Sequence, residues 1–499
     1  MDSVPSAAPE RVDPTMRAQA LETHMSVLFF YGDRVLKVRK PVKYGFADFR
    51  DTEQRRADCW REIQLNRRLS PDVYVGTATV LLNGKTVEHA VVMHRLPEER
   101  NLATLVAHGE NVDAELASVA ELLARFHRDA RRSPGISSAA TVTAIGQRWQ
   151  ATAEELGRFI GPVIDADAYH HLTALAHRFL REWRSLFERR IELGAVCDGH
   201  GDLQAADVFC LPDGPRLLDC LEFDDQLRYG DELADVAFLV QDLERIGGVR
   251  EARVFFDAYR KASSTDQPLS LLDFYVAARA HVRLLVECLR REQRLETLAQ
   301  DPPAVLAQAL SHLEMAIPRL VLVGGPPGSG KSTVASSLAD VLTATLLSTD
   351  HVRPRHATGR SGPAPFGTGQ YTLEKRRDVY RQVMDRAVEA LHDARSVVID
   401  ATWSRAEFRK RAESAARAAS ATLVELQCRC APEERTRRIL GRANAGAGES
   451  DATPQVAEAL SDVTDPWPTA LVVDTSGSID ESRRAALQAL RGRRSTPEE

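Results

Sequence analysis

Two stretches of the chain concentrate residues that handle phosphate. In the first, an apolar run from Leu320 to Val323 leads into Gly324, Gly325, Pro326, Pro327, Gly328, Ser329, Gly330, Lys331, Ser332 and Thr333. The pattern GxxxxGK(S/T) spans Gly325 to Ser332, and its glycines let consecutive backbone N–H groups turn inward as an anion nest. Lys331 can reach terminal phosphates, and Ser332 offers a hydroxyl to Mg²⁺. Val334, Leu338 and Val341 then recur at helical spacing, so the positive end of a helix faces the same phosphates. In the second stretch, Cys197 to Glu244, carboxylates alternate with apolar runs. The segment VFCLPDGPRLLDCLEF predicts a hairpin with Asp202 and Asp207 before its first strand and Asp219 and Glu222 on its second. Two such carboxylates suit Mg²⁺ bridging nucleotide phosphates, and a third suits proton removal from a hydroxyl.

The P-loop unit supplies further candidates. Asp350, with Arg353 just beyond, is expected to end a strand, and SVVID ends in Asp400. In an open parallel sheet, strand C-termini converge on the ligand crevice, which puts Asp350 opposite a γ-phosphate as acceptor-orienting group and Asp400 near the metal. The segment CAPEERTRRILGR carries Arg435, Arg437, Arg438 and Arg442 on a helix before the glycine-rich ANAGAGESDA, the pattern of a phosphate-covering lid.

The remaining elements position these groups. SVLFFYGDRVLKVRK predicts a hairpin turning at Gly32-Asp33, with Lys37 on its second strand, and a helix from about Thr52 to Leu69 carries Glu62. Two more strands flank Asn83-Gly84, and the chain is mainly helical to about Glu192. His127 reads as a packed core histidine. Pro302-Pro303 marks a boundary. The fold class expected is α/β and α+β: a two-lobed N-terminal domain at 26–300, a linker at 301–317, and a P-loop α/β domain with a mostly parallel sheet at 318–492, with tails at 1–25 and 493–499.

Composition narrows the classes. The 499-residue length suggests about three domains or two large ones. A net charge of -6 and the absence of a basic stripe with interleaved aromatics argue against a nucleic-acid partner. The seven cysteines are odd in number and scattered, as expected of reduced cytosolic thiols, and Cys428 and Cys430 lack the further ligands of a zinc site. No apolar run approaches the roughly 18 residues that span a bilayer. A cytoplasmic protein with no membrane partner is expected. No pattern specifies an oligomeric state.

HGDLQAAD resembles the HGDxxxxN loop of the aminoglycoside phosphotransferase and choline kinase group, relatives of protein kinases, and LLDCLEFDDQLRYGDELADVAFL is similar to that group's metal-ligand segment and GDxxxDxA helix start. More narrowly, the chain from about Ser26 onward resembles a bacterial family that fuses such a domain to a P-loop kinase-like ATPase domain. The resemblance implies Asp202 as catalytic base, Lys37 and Glu62 as phosphate-orienting pair, and Glu222 or Asp219 as magnesium ligand. Where the group has Asn, this chain has Asp207, which can ligate Mg²⁺ yet adds a charge beside Asp202. Two readings stay open there, an active kinase or a ligand-sensing pseudokinase. The P-loop unit resembles kinases of the polynucleotide kinase, zeta toxin and gluconate kinase type. Together these imply an enzyme using ATP and Mg²⁺ to phosphorylate a small-molecule hydroxyl. A nucleotide-dependent switch and a nucleic-acid 5′-kinase are the alternatives.

Overall fold

The computed structural model describes residues 19–23, 25–42, 49–292, 300–352, 372–444 and 464–492. The chain divides into two compact units that are interleaved in sequence: residues 1–158, 188–267 and 278–305 form one, and 159–187, 268–277 and 306–499 the other.

The first unit begins with an antiparallel sheet of β1 (Gln19–Glu22), β2 (Ser26–Tyr31), β3 (Arg34–Arg39), β4 (Tyr74–Leu82) and β5 (Lys85–His94), in the order β1-β2-β3-β5-β4. The chain thus enters the sheet at Gln19, within the stretch expected as a tail. Asn83 and Gly84 both have positive φ, 51° and 77°, which matches a two-residue turn to the twist of its strands. Alternation along β3 directs Val35, Lys37 and Arg39 to one face. The helix Thr52–Asn66 covers that face, burying Cys59, Glu62, Ile63 and Asn66 at three- and four-residue spacing. Val35, Cys59, Ile63, Val73, Tyr74, Val91 and Met93 close into a core, each contributing about 1.5–3 kcal/mol by burial. Helices dominate the rest of this unit, together with two small strand pairs. One joins β6 (Val196–Asp198) to β9 (Tyr229–Asp231), and the other is the hairpin of β7 (Val208–Leu211) and β8 (Gly214–Leu217).

The second unit holds a sheet of β10 (Arg319–Gly324), β11 (Thr345–Ser348), β12 (Val397–Asp400), β13 (Thr422–Arg429) and β14 (Leu471–Asp474), in the order β11-β12-β10-β13-β14 with every pairing parallel. The unbroken apolar run of β10 follows from burial on both faces. Leu320 and Leu322 pack with Tyr380, Val383 and Phe408 on one side, and Val321 and Val323 with Val334, Leu338 and Ala486 on the other. The segments that precede the P-loop in sequence join this unit through aromatic packing. Phe179 stacks on Phe274 at 4.9 Å, and the Trp183 indole donates to the Leu391 carbonyl at 3.1 Å.

Candidate functional site

In the N-terminal unit, β3 and the helix Thr52–Asn66 bring Lys37 and Glu62 together at 2.9 Å. Lys37 also meets Asp219 at 2.5 Å. Burial opposes the Lys37 charge, but Asp219, Glu62 and Glu222 overrule it and hold the ammonium well above its usual pKa. Burial raises the Asp219 carboxyl, but the charge and hydrogen bond of Lys37, joined by His200 and Arg39, hold it below the ordinary range. The Asp219 backbone is left-handed at φ 61°, and it is fixed by neighbours: its N–H donates to the Tyr74 hydroxyl at 3.2 Å, and the next N–H, of Cys220, donates to Asn66 at 2.8 Å.

Hairpin β7–β8 separates Asp207, at the end of the short helical turn Ala205–Asp207, from Asp219. The Leu218 N–H donates to the Asp207 carbonyl at 2.9 Å, which holds the two ends of the hairpin side by side. Burial, then Asp219, then Asp202 push the Asp207 carboxyl well above its usual pKa. The second strand of the hairpin stops at Leu217, so Asp219 and Glu222 lie beyond it and not on it. Glu222 has its own ion-pair partner. It is buried against Arg39, which also binds Glu62 at 3.1 Å, and of the two proposed magnesium ligands Asp219 is the one beside Lys37 and Asp207.

The catalytic-loop candidate Asp202 is held by its own scaffold. Asp235 accepts the His200 and Gly201 N–H groups at 2.6 and 2.8 Å and contacts the His127 ring at 3.1 Å. A side chain at Gly199 would place its Cβ 2.2 Å from an Asp235 oxygen, which only glycine avoids. His127, fully buried, bonds Tyr259 through its other nitrogen at 2.8 Å. The core role expected for His127 therefore extends to orienting Asp235. Asp235, Arg39, Arg279 and Arg283 escaped the sequence reading, although the GDxxxDxA spacing already contained Asp235.

In the second unit the loop leaves β10 and enters the helix Lys331–Leu342. Gly325, Gly328 and Gly330 have φ of 146°, 84° and 80°. A Cβ at Gly325 would lie 2.5 Å from the Ser329 hydroxyl, and one at Gly328 would lie 2.7 Å from the Arg435 carbonyl. Thr333 follows on the first turn of the helix. Asp400, the last residue of β12, lies beside Ser332; burial raises its pKa, Lys331 and then the Ser332 hydroxyl oppose the rise, and Asp350 adds to it. Its Oδ1 is buried without a hydrogen-bond partner. An orphaned carboxylate oxygen beside the loop hydroxyl fits a divalent cation carried by nucleotide phosphates. Among the described residues no three His, Cys, Asp or Glu side chains gather into a self-sufficient metal cluster.

Strand β11 ends at Ser348, so Asp350 sits on the short helix Thr349–Val352, where its N–H meets the Ser348 hydroxyl at 3.2 Å, and not at the end of a strand. Arg353 and residues 445–463, which include most of the expected lid segment, lie outside the described residues, as does the Arg442 side chain. On the helix Pro432–Asn444, Arg438 donates to the Thr475 carbonyl at 2.7 Å beside Gly330, and Arg435 packs its backbone and Cγ over Gly328. Arg437 faces solvent and pairs with Glu434 at 2.5 Å. Among the described residues no helix is long and apolar enough to cross a membrane.

A family model described as an AAA domain matches residues 320–466. Among solved structures, a gluconokinase from Sinorhizobium meliloti is 17% identical and covers 35% of this chain and 93% of its own, with a TM-score of 0.29. A choline kinase from Cryptosporidium parvum is 10% identical and covers 60% of this chain and 88% of its own, with a TM-score of 0.39. Uncharacterized proteins from Mycobacterium tuberculosis and Mycobacterium bovis are 38% identical over 467 residues, covering 92% of this chain and 93% of theirs. The chain belongs to the family of these mycobacterial proteins, and it carries an AAA domain over residues 320–466 that includes the P-loop.

Proposed function

We propose that the protein is an ATP-dependent phosphotransferase acting on a hydroxyl of a small molecule, with a nucleotide site in each unit and the P-loop unit as principal catalyst. The observation that carries this is the buried, unpartnered Asp400 Oδ1 beside Ser332 at the foot of the loop. The nest formed by Gly325, Gly328 and Gly330 and the Lys331 ammonium hold the terminal phosphates. Ser332 and Asp400 would hold Mg²⁺, which when bound with the nucleotide neutralises phosphate charge. Asp350 takes the proton of the acceptor hydroxyl as its oxygen bonds to the γ-phosphorus, and the bond to the β-phosphate oxygen breaks to release ADP. Arg438 and Arg435 close over the charge that develops. In the N-terminal unit Asp202 would be the base, Lys37 and Glu62 the phosphate-orienting pair, and Asp207 and Asp219 the metal ligands.

A second reading of the N-terminal unit rests on Asp207, whose carboxyl is pushed toward its neutral form. It makes that unit a pseudokinase whose ligand regulates the chain.

Incubating the full chain with ATP, Mg²⁺ and a pool of hydroxyl metabolites, and following phosphorylated products by mass spectrometry, separates these readings. Lys331→Ala is expected to cut product formation by about 10²–10³-fold, and Lys37→Ala to affect only transfer at the N-terminal unit. Unchanged nucleotide consumption in Lys331→Ala would overturn the assignment. Nucleotide binding without any phosphorylated product would favour the switch.

A further inference from the structure

Beside Asp202 the N-terminal unit gathers positive charge that the phosphate chemistry above does not use. The helix Leu269–Glu292 presents Arg279 and Arg283 one turn apart. Arg279 stacks on the Phe238 ring at 4.1 Å and donates to Asp202 Oδ1 at 2.6 Å. Arg283 is 8% exposed and donates to the Gln204 amide oxygen at 2.9 Å, a neutral partner. Its Nε is buried with no hydrogen-bond partner, and among the described residues no carboxylate lies within ion-pairing distance of it. Arg245 adds a third guanidinium, bonded to Asp242 at 2.7 Å. Burial, then the charges of Arg279 and Arg245, depress the Arg283 pKa to about 10, so like charges crowd it.

A buried guanidinium with an unfilled donor is costly unless an anion completes it. Asp202 pairs with Arg279 and Asp242 with Arg245, whereas Arg283, among the described residues, has only the neutral Gln204 oxygen. A cationic acceptor would meet repulsion here. An anionic one would satisfy Arg283 and draw Arg279 away from Asp202, which then becomes available to a hydroxyl proton.

We propose that the N-terminal unit binds an anionic hydroxyl compound, one bearing a phosphate or carboxylate, through Arg279 and Arg283 beside Asp202. This rests on the reading of that unit as a phosphotransferase only for the transfer step, and not for the anion site. In that step the acceptor oxygen bonds to the γ-phosphorus of ATP, its proton passes to Asp202, and ADP leaves as the bond to the β-phosphate oxygen breaks.

The test uses the full chain carrying Lys331→Ala, which weakens phosphate binding at the P-loop. Inorganic phosphate is titrated calorimetrically into this protein and into the same protein with Arg283→Gln, Arg283→Lys or Arg279→Gln, each checked for folding by circular dichroism. Arg283→Gln and Arg279→Gln are expected to weaken phosphate about tenfold, the loss of one charged hydrogen bond, with Arg283→Lys between them and the parent. If Arg283→Gln does not fold, Arg279→Gln, at the more accessible of the two positions, carries the comparison. Equal phosphate affinity in parent and folded variants overturns the anion site. ATP consumption is then measured with glycerol against glycerol 3-phosphate and glucose against gluconate. Stimulation by the anionic member of each pair supports the proposal in full. Weakened phosphate binding without stimulation by either member keeps the anion site and removes catalysis by this unit, whereas stimulation by the neutral members alone overturns the choice of acceptor.

Discussion

The P-loop is made of backbone, whereas the N-terminal cluster is made of side chains gathered from far apart. Gly325 to Ser332 occupy consecutive positions, and their shape follows from positive φ at three glycines. Lys37, Glu62, Asp202, Asp207 and Asp219 come from a strand, a helix and two loops, and their arrangement depends on Asp235, Asn66 and Tyr74 behind them. A backbone site therefore fails through local sterics, and a side-chain site fails through its supports. The two also handle surplus charge differently. The loop leaves a carboxylate oxygen of Asp400 unpartnered, while the N-terminal cluster spreads its carboxylates over Lys37 and Arg39.

The sharpest way to break this comparison is Gly325→Ala. The new Cβ would require a strained backbone and would displace both the Ser329 hydroxyl at 2.5 Å and the Cys428 carbonyl at 2.7 Å. Nucleotide affinity of the second unit should fall by on the order of 10²-fold, measured in a Lys37→Ala background so that one site reports. An alanine that binds nucleotide as tightly as glycine would remove the case for a backbone cradle.

Next comes Asp235→Ala, which strips the Asp202 loop of the acceptor for two backbone N–H groups and of the partner of His127. Removing one partner from a buried, hydrogen-bonded pair of this kind costs about 3–5 kcal/mol. The N-terminal unit should unfold at lower urea concentration while nucleotide binding at the P-loop is retained. Loss of both together would mean that the two regions are not independent in the way argued.

A smaller effect is expected for Asp207→Asn, and it depends on pH. A carboxyl whose folded-state pKa lies above its unfolded value gains a proton on folding, so it costs nothing below the unfolded pKa of about 4 and costs progressively more as pH rises toward the folded value. The Asp207 shift has this sign, caused by burial and then by Asp219 and Asp202. With chelator present, Asp207→Asn should melt above the parent at pH 8 and coincide with it near pH 4. A difference that grows toward low pH would reverse the sign and sink the account.

These predictions follow the same divide as legibility in the sequence. The P-loop, Asp400 at the end of its strand and the parallel sheet were readable because each is a local pattern: glycines at fixed spacing, or an apolar run buried on two faces. Lys37 and Glu62 were readable only through resemblance, since the alternation of β3 marks a face without naming what covers it. An apolar run has no sharp stop, so the sequence carries the strand on to Asp350, whereas the chain turns into a helix after Ser348, whose hydroxyl accepts the Asp350 N–H. Spacing alone cannot foresee that Glu222 pairs with Arg39, 183 residues away. Arg279 and Arg283 are not legible as site residues, because nothing along the chain ties them to Asp202.

The smallest expected effect separates two arginines on one helix. Arg437 is exposed and pairs only with Glu434 among the described residues, an arrangement that solvent screens almost completely. Arg438 shares Glu434 at 2.7 Å but also reaches the Thr475 carbonyl at 2.7 Å, and its guanidinium lies 3.4 Å from where a Cβ on Gly330 would be. Of these two, Arg438 is the one near enough to the loop to meet a phosphate. Arg438→Ala should weaken nucleotide binding at the second unit by about threefold to tenfold, as expected for one charged hydrogen bond, and increased salt should narrow its gap from the parent. Arg437→Ala should match the parent in both affinity and melting temperature. Equal losses in the two variants would mean that the helix contributes a general positive field, and the distinction between the arginine beside the loop and the arginine in solvent would fall.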